Sequence, residues 1–173
     1  GSRYMNSKQG KLILDKIFGK DRKTTNISGS EAVNDLTEAC RRMSEDKTGA
    51  LIVISHTTPL DDIISTGDNI DAAIHRRLIM NIFFKNSPLH DGALIISGGR
   101  IAAARCTLPI TERTNIPASY GMRHKAAIGI TEESDADAIT VSEETGRISF
   151  VRNGQVTPIN NINELKLLLN EAL

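Results

Sequence analysis

Val33, Leu36, Cys40 and Met43 recur at intervals of three and four, the spacing that gathers apolar side chains on one face of a helix. Ser28 followed by Glu31 has capping-box spacing, so the pattern predicts an amphipathic helix over about residues 29–47. Ahead of it the chain reads as a linker or a short helix around residues 12–18. The run Ala50-Leu51-Ile52-Val53-Ile54-Ser55 shows no alternation and is rich in β-branched residues, as in a strand covered on both faces. It is expected near the middle of a sheet. Ile74, Leu78, Ile82 and Phe83 repeat near every fourth position and predict a second helix that Pro88 closes off.

Apolar runs at 93–97 and 100–107 flank Gly98-Gly99, a two-residue hairpin signal. Residues 109–121 read as a loop, and 122–130 open a helix whose far end Gly129 weakens. A second hairpin is predicted over 138–151 across Glu143-Glu144-Thr145-Gly146, after which Asn153-Gly154 turns the chain again. Leu165, Leu168, Leu169 and Ala172 form the stripe of a terminal helix. With strands and helices interleaved and no internal repeat, the reading is one α/β domain on a mixed sheet.

Composition narrows the function classes more than the fold. At 173 residues, 39% hydrophobic and 24% charged, the chain is the size of one globular domain with a core that needs no staple. Its 21 basic and 21 acidic side chains cancel, so no global field draws nucleic acid or anionic lipid, and any anion site must be local. Tryptophan is absent, leaving four Phe and two Tyr as a poor supply of stacking platforms; no nucleic-acid partner is expected. Cys40 and Cys106 lie far apart without metal-ligand spacing and read as reduced, buried thiols. No apolar run approaches the roughly 20 residues that span a bilayer. Gly1 and Ser2 read as the remnant of a cleaved tag, which points to a piece of a longer protein.

Three polar clusters interrupt the apolar stretches. In Leu89-His90-Asp91-Gly92-Ala93 a carboxylate precedes a strand and small residues follow it, so a ligand can approach the backbone; Asp-Gly is also a common turn dipeptide. Gly121-Met122-Arg123-His124-Lys125 places cationic groups at a helix start, where they oppose the dipole unless an anion compensates them; a solvated basic turn is the plainer alternative. Ser142-Glu143-Glu144-Thr145-Gly146 is a hairpin tip with two carboxylates, enough for one hard metal ion shared with phosphates, or simply a charged turn. His56 and His75 read as surface or capping groups. No P-loop, GxGxxG fingerprint or GxSxG elbow occurs.

In this order and spacing, Asp91-Gly92-Ala93, Arg123-His124-Lys125-Ala126-Ala127-Ile128-Gly129 and Ser142-Glu143-Glu144-Thr145-Gly146 resemble the diadenylate cyclase (DAC) family. The likeness runs from about Ile27 to Gly154 and is strongest to the membrane-anchored CdaA-type cyclases. It implies a tag remnant and linker over 1–26 and a catalytic domain over 27–173, built on a mixed sheet of about seven strands flanked by helices. It also implies condensation of two ATP into cyclic di-AMP with release of two pyrophosphates, a divalent cofactor (Mg²⁺ or Mn²⁺, with Co²⁺ possible) and a homodimer as the active state. The parent protein would sit at the cytoplasmic face of the cell membrane, held there by a segment outside this sequence.

Carried over motif by motif, the resemblance gives Asp91 the attacking 3′-hydroxyl and the metal, with His90 beside the ion and Glu144 as a further ligand. Arg123, His124 and Lys125 would be catalytic and would hold the phosphates together with Ser142, and Glu143 would assist Glu144 at the cation; Gly92, Ala93, Leu108, Met122 and Glu143 would complete the ATP site. Two positions depart from the family's pattern: Lys125 stands where a second Arg is usual, and Met122 where a Thr is usual. Lysine keeps the charge but loses the bidentate fork. A nucleotide-binding regulatory module without turnover and an ATP-cleaving phosphohydrolase are the competing readings.

Overall fold

A computed structural model describes residues 31–173. The expected helix near 12–18, the Ser28 cap and the boundary between 26 and 27 lie outside the described residues. A helix, α1, occupies 31–46. It is followed by β1 (Ala50–Ile54), α2 (Asp61–Ile64), β2 (Asp68–Ala73), α3 (Arg76–Phe83), β3 (Ala93–Ser97), β4 (Arg100–Cys106), α4 (Met122–Glu133), β5 (Asp137–Val141), β6 (Ile148–Arg152), β7 (Gln155–Pro158) and α5 (Ile162–Ala172). The strands make one seven-stranded sheet in the order β2-β4-β3-β1-β5-β6-β7, so the unalternating apolar run does lie at the centre. β1 pairs parallel with β3 and antiparallel with β5, which makes the sheet mixed, as expected.

The two sides of β1 feed two cores. Ile52 and Ile54 pack with Leu36, Met43, Ile79, Phe83, Leu165 and Leu169 beneath α1, α3 and α5. Leu51 and Val53 face the other way, toward Ala126, Ala127 and Ile130 of α4. A strand buried on both faces has no polar side, which is why its sequence does not alternate. Cys40 and Cys106 are both free and buried, and burial pushes the Cys40 thiol up to about 12.

Three differences from the sequence reading have physical causes. β2 went unpredicted because Asp-Asn-Ile-Asp-Ala-Ala is an edge strand with mostly exposed side chains and an irregular register against β4. The short α2 buries no side chain fully and carries no periodic signal. α4 runs past Gly129 to Glu133 because that glycine is needed for contact: a Cβ there would fall 2.0 Å from the Pro109 carbonyl oxygen. His75 caps α3 by accepting the Arg77 N–H on Nδ1, and His56 meets Asp137 at 2.9 Å, so neither is free as a ligand.

Candidate active site

A cleft of about 650 Å³ opens on the α4 side of the sheet, where β1 and β3 begin and β4 and β5 end. Asp91, Gly92, Leu108, Met122, Arg123, His124, Ser142, Glu143 and Glu144 all line it. Residues from three distant stretches of sequence therefore share one cavity. His90, Ala93 and Lys125 lie outside its lining: Ala93 is fully buried at the start of β3, and His90 stands behind Asp91.

The first wall is a turn built on Ser87. The Ser87 carbonyl accepts the His90 N–H at 3.2 Å and faces His90 Nδ1 at 2.8 Å, while Ser87 Oγ accepts the Leu89 N–H. Asp91, with 84% of its side chain exposed, projects beyond this turn. Gly92 follows at φ +90°, and a Cβ there would stand 2.7 Å from the Cys106 carbonyl oxygen. Conformation and space both demand glycine, because β4 bulges close at this point.

The second wall is the start of α4. Gly121 caps the helix without a side-chain acceptor, and no acidic residue stands in the first turn. The unpaired N–H groups and the positive end of the dipole thus face the cleft beside Arg123 and His124, a setting that favours an anion. Tyr120 stacks on the His124 ring at 4.5 Å.

The third wall is the β5–β6 tip. Ser142 Oγ accepts N–H groups from Glu144 at 3.1 Å and Thr145 at 3.2 Å, which occupies its two lone pairs and leaves only its proton to offer. A hydroxyl in that state can only donate, and an anionic oxygen is its natural partner. Gly146 closes the turn at φ +78° against α1, where the Ser44 hydroxyl donates to its carbonyl. Glu143 Oε1 stands 3.8 Å from the Arg123 guanidinium.

A family model described as DisA bacterial checkpoint controller nucleotide-binding, abbreviated DAC, matches residues 37–156, most of the chain. The chain belongs to the DAC family. It is 38% identical over 141 residues to the cyclic di-AMP synthase CdaA of Bacillus subtilis, covering 82% of this chain and 52% of that protein. It is 42% identical over 125 residues to the diadenylate cyclase CdaS of Bacillus thuringiensis, covering 72% and 62%. A crystal structure of a double mutant of DacA from Staphylococcus aureus superposes with a TM-score of 0.80 at 39% identity, covering 88% of this chain and 97% of the other. The chain spans 52% and 62% of the lengths of these two relatives. Among the described residues no helix is long and apolar enough to cross a membrane.

In this DAC domain the cleft holds residues that motif reading missed. Arg105 lines it with a left-handed backbone at φ +57° and pairs with Asp68 at 2.9 Å; a lone charge inside the Ile101–Cys106 run was its only signal. Thr140 lies on the floor with its hydroxyl unpartnered among the described residues, marked in sequence only as a polar break in β5.

Burial lowers the His124 imidazole below its ordinary value of 6.5. The unfolded chain therefore takes up a proton that the folded domain resists, and stability tied to neutral His124 is complete above about 6.5 and lost as pH falls below it. We expect the melting temperature of the wild type to drop more than that of His124→Asn between neutral and mildly acidic pH. Equal drops in differential scanning fluorimetry would show that the half-buried ring carries no such linkage.

Proposed function

We propose that this domain is a diadenylate cyclase that condenses two ATP into cyclic di-AMP and releases two pyrophosphates. The observation that carries the reading is the meeting of the exposed Asp91 carboxylate, the cationic start of α4 and the Ser142–Glu144 tip on three walls of one cleft. In each of two equivalent steps a ribose 3′-oxygen bonds to the α-phosphorus of the other ATP, the bond from that phosphorus to the pyrophosphate oxygen breaks, and the hydroxyl proton leaves. Asp91 accepts that proton. Arg123 and the free N–H groups of α4 offset charge spreading over the phosphates, while a His124 ring N–H and the Ser142 hydroxyl donate to their oxygens. Lys125, between the lining residues His124 and Ala126 but not itself in the lining, adds positive charge to the same helix end. Leu108, Met122, Gly92 and Ala93 shape the nucleotide seat.

The residues present fit a hard divalent cation shared with substrate phosphates better than a protein-only cage. Among the described residues no three His, Cys, Asp or Glu side chains gather to enclose an ion. The Ser87 carbonyl accepts from His90 Nδ1, and the tautomer that suits this contact carries its lone pair on Nε2, 3.3 Å from Asp91 Oδ1. Two acceptors face each other there, and Glu144 lines the same cleft. Asp91, His90 and Glu144, with phosphate oxygens, would hold Mg²⁺ or Mn²⁺, which when bound lowers the barrier by polarising phosphoryl oxygens.

The product has two identical links, and the described residues supply one such cleft per chain, with Asp91 exposed at its edge. Two copies facing across a two-fold axis would present two ATP head to tail. We place the parent protein at the cytoplasmic face of a membrane, anchored by a segment outside this chain. Incubation with ATP and Mn²⁺ or Mg²⁺, resolved by chromatography, is expected to yield cyclic di-AMP, with turnover per mole of protein falling on dilution as monomer takes over. AMP or ADP without the cyclic product would favour a hydrolase, and bound ATP without turnover a regulatory module. Constant turnover in a range where sedimentation shows only monomer would sink the facing-copy mechanism.

A further inference from the structure

Gly92, Gly98, Gly99, Gly146 and Gly154 all have positive φ, where a side chain is disfavoured. Gly49, buried in the turn that leads into β1, does not. Its backbone is one that any L residue can adopt, so conformation gives no reason for glycine. Space does. A Cβ at 49 would lie 2.4 Å from Arg123 Cζ and 2.5 and 2.6 Å from its two terminal nitrogens, and these are its three nearest neighbours. The guanidinium occupies the volume that a side chain at 49 would fill. On its cleft side Glu143 Oε1 approaches one terminal nitrogen at 3.8 Å, and Leu51, two residues after Gly49, lines the cleft floor.

We propose that Gly49 is a positioning residue: the missing side chain keeps open the seat from which the Arg123 guanidinium holds the nucleotide's phosphates. The inference rests on the reading of Arg123 as a phosphate ligand. An arginine side chain has many rotamers, and binding through a mobile one loses affinity to the ordering it requires. A seat that fits the planar fork, flanked by a carboxylate, orders it before the ligand arrives. Glycine is otherwise a poor choice here, because it adds freedom to the unfolded chain.

The test is a double-mutant cycle of wild type, Gly49→Ala, Arg123→Ala and the double variant. Each is titrated with a non-hydrolysable ATP analogue by calorimetry, and each is melted. Gly49→Ala is expected to weaken binding on the order of tenfold, as loss of a charge-assisted hydrogen bond does, and to cause no further loss once Arg123 is alanine. In the Arg123→Ala background the same change should raise the melting temperature, since the added methyl meets no guanidinium and stiffens the unfolded chain. That comparison holds even if Gly49→Ala alone folds poorly. Equal losses in both backgrounds, or normal binding by Gly49→Ala beside weak binding by Arg123→Ala, would overturn the seat and leave the phosphate role of Arg123 intact. Normal binding by Arg123→Ala would remove that role, and the seat with it.

Discussion

Asp91→Asn is expected to leave the domain folded and to cut cyclic di-AMP synthesis by roughly 10²–10⁴-fold, the range over which a positioned base contributes. The structural side of the expectation follows from what holds the turn. Its backbone is tied by Ser87 and by the positive φ of Gly92, while the Asp91 side chain is 84% exposed, with His90 Nε2 3.3 Å away. Asparagine has nearly the same shape, so the melting temperature should stay within a degree or two of wild type. The chemical side follows from what an amide lacks: it neither accepts the hydroxyl proton nor offers an anionic oxygen to a cation. Because the change removes an interaction made as the hydroxyl attacks, kcat should fall far more than ATP affinity. Initial-rate kinetics beside a binding titration separate the two, and an asparagine variant with wild-type turnover would take Asp91 out of the mechanism.

Gly129→Ala is expected to destabilise the domain although helix propensity alone favours alanine by about 1 kcal/mol. The new methyl would stand 2.0 Å from the Pro109 carbonyl oxygen, 2.7 Å from its carbonyl carbon and 3.0 Å from the Thr111 nitrogen. All three are backbone atoms, so the strain cannot be relieved by a side-chain rotation. The segment after β4 must lift from α4, and its tie to the helix, the Thr111 N–H donating to the Lys125 carbonyl at 3.1 Å, weakens with it. Overpacking of this kind costs roughly 1–3 kcal/mol and occasionally more, which outweighs the propensity gain. For a chain of this size, that is a drop of roughly 2–12 °C in melting temperature. The same segment carries Leu108 into the cleft, so ATP affinity should fall as well. A variant that melts and binds like wild type would show that the close approach of Pro109 to α4 is dispensable.

Local side-chain spacing was enough to specify the elements whose burial is periodic or complete. Helix α1 followed from Val33, Leu36, Cys40 and Met43, β1 from its continuous apolar run, the two hairpins from Gly98-Gly99 and the 142–146 tip, and α5 from its leucine stripe. Each of these signals is local, set by side-chain spacing within one element or by turn residues of known backbone preference. The three polar clusters were equally visible, because a charge inside an apolar stretch stands out wherever the chain later goes. What local spacing does not contain is the partner across space. The edge strand β2 exists because β4 offers it a hydrogen-bonding edge, not because Asp-Asn-Ile-Asp-Ala-Ala prefers to be extended. The middle of α4 is buried through consecutive positions from Ala126 to Thr131 and so shows no polar face, while Gly129, which weakens a helix in isolation, is where Pro109 packs. Only the tertiary structure brought Asp91, Arg123 and Glu144 to one cleft, drew Arg105 and Thr140 into its lining, left Lys125 outside it, and set the Arg123 guanidinium over Gly49. Those facts depend on which strands become neighbours and on how closely two backbones approach, and both are decided by packing between segments far apart in the chain.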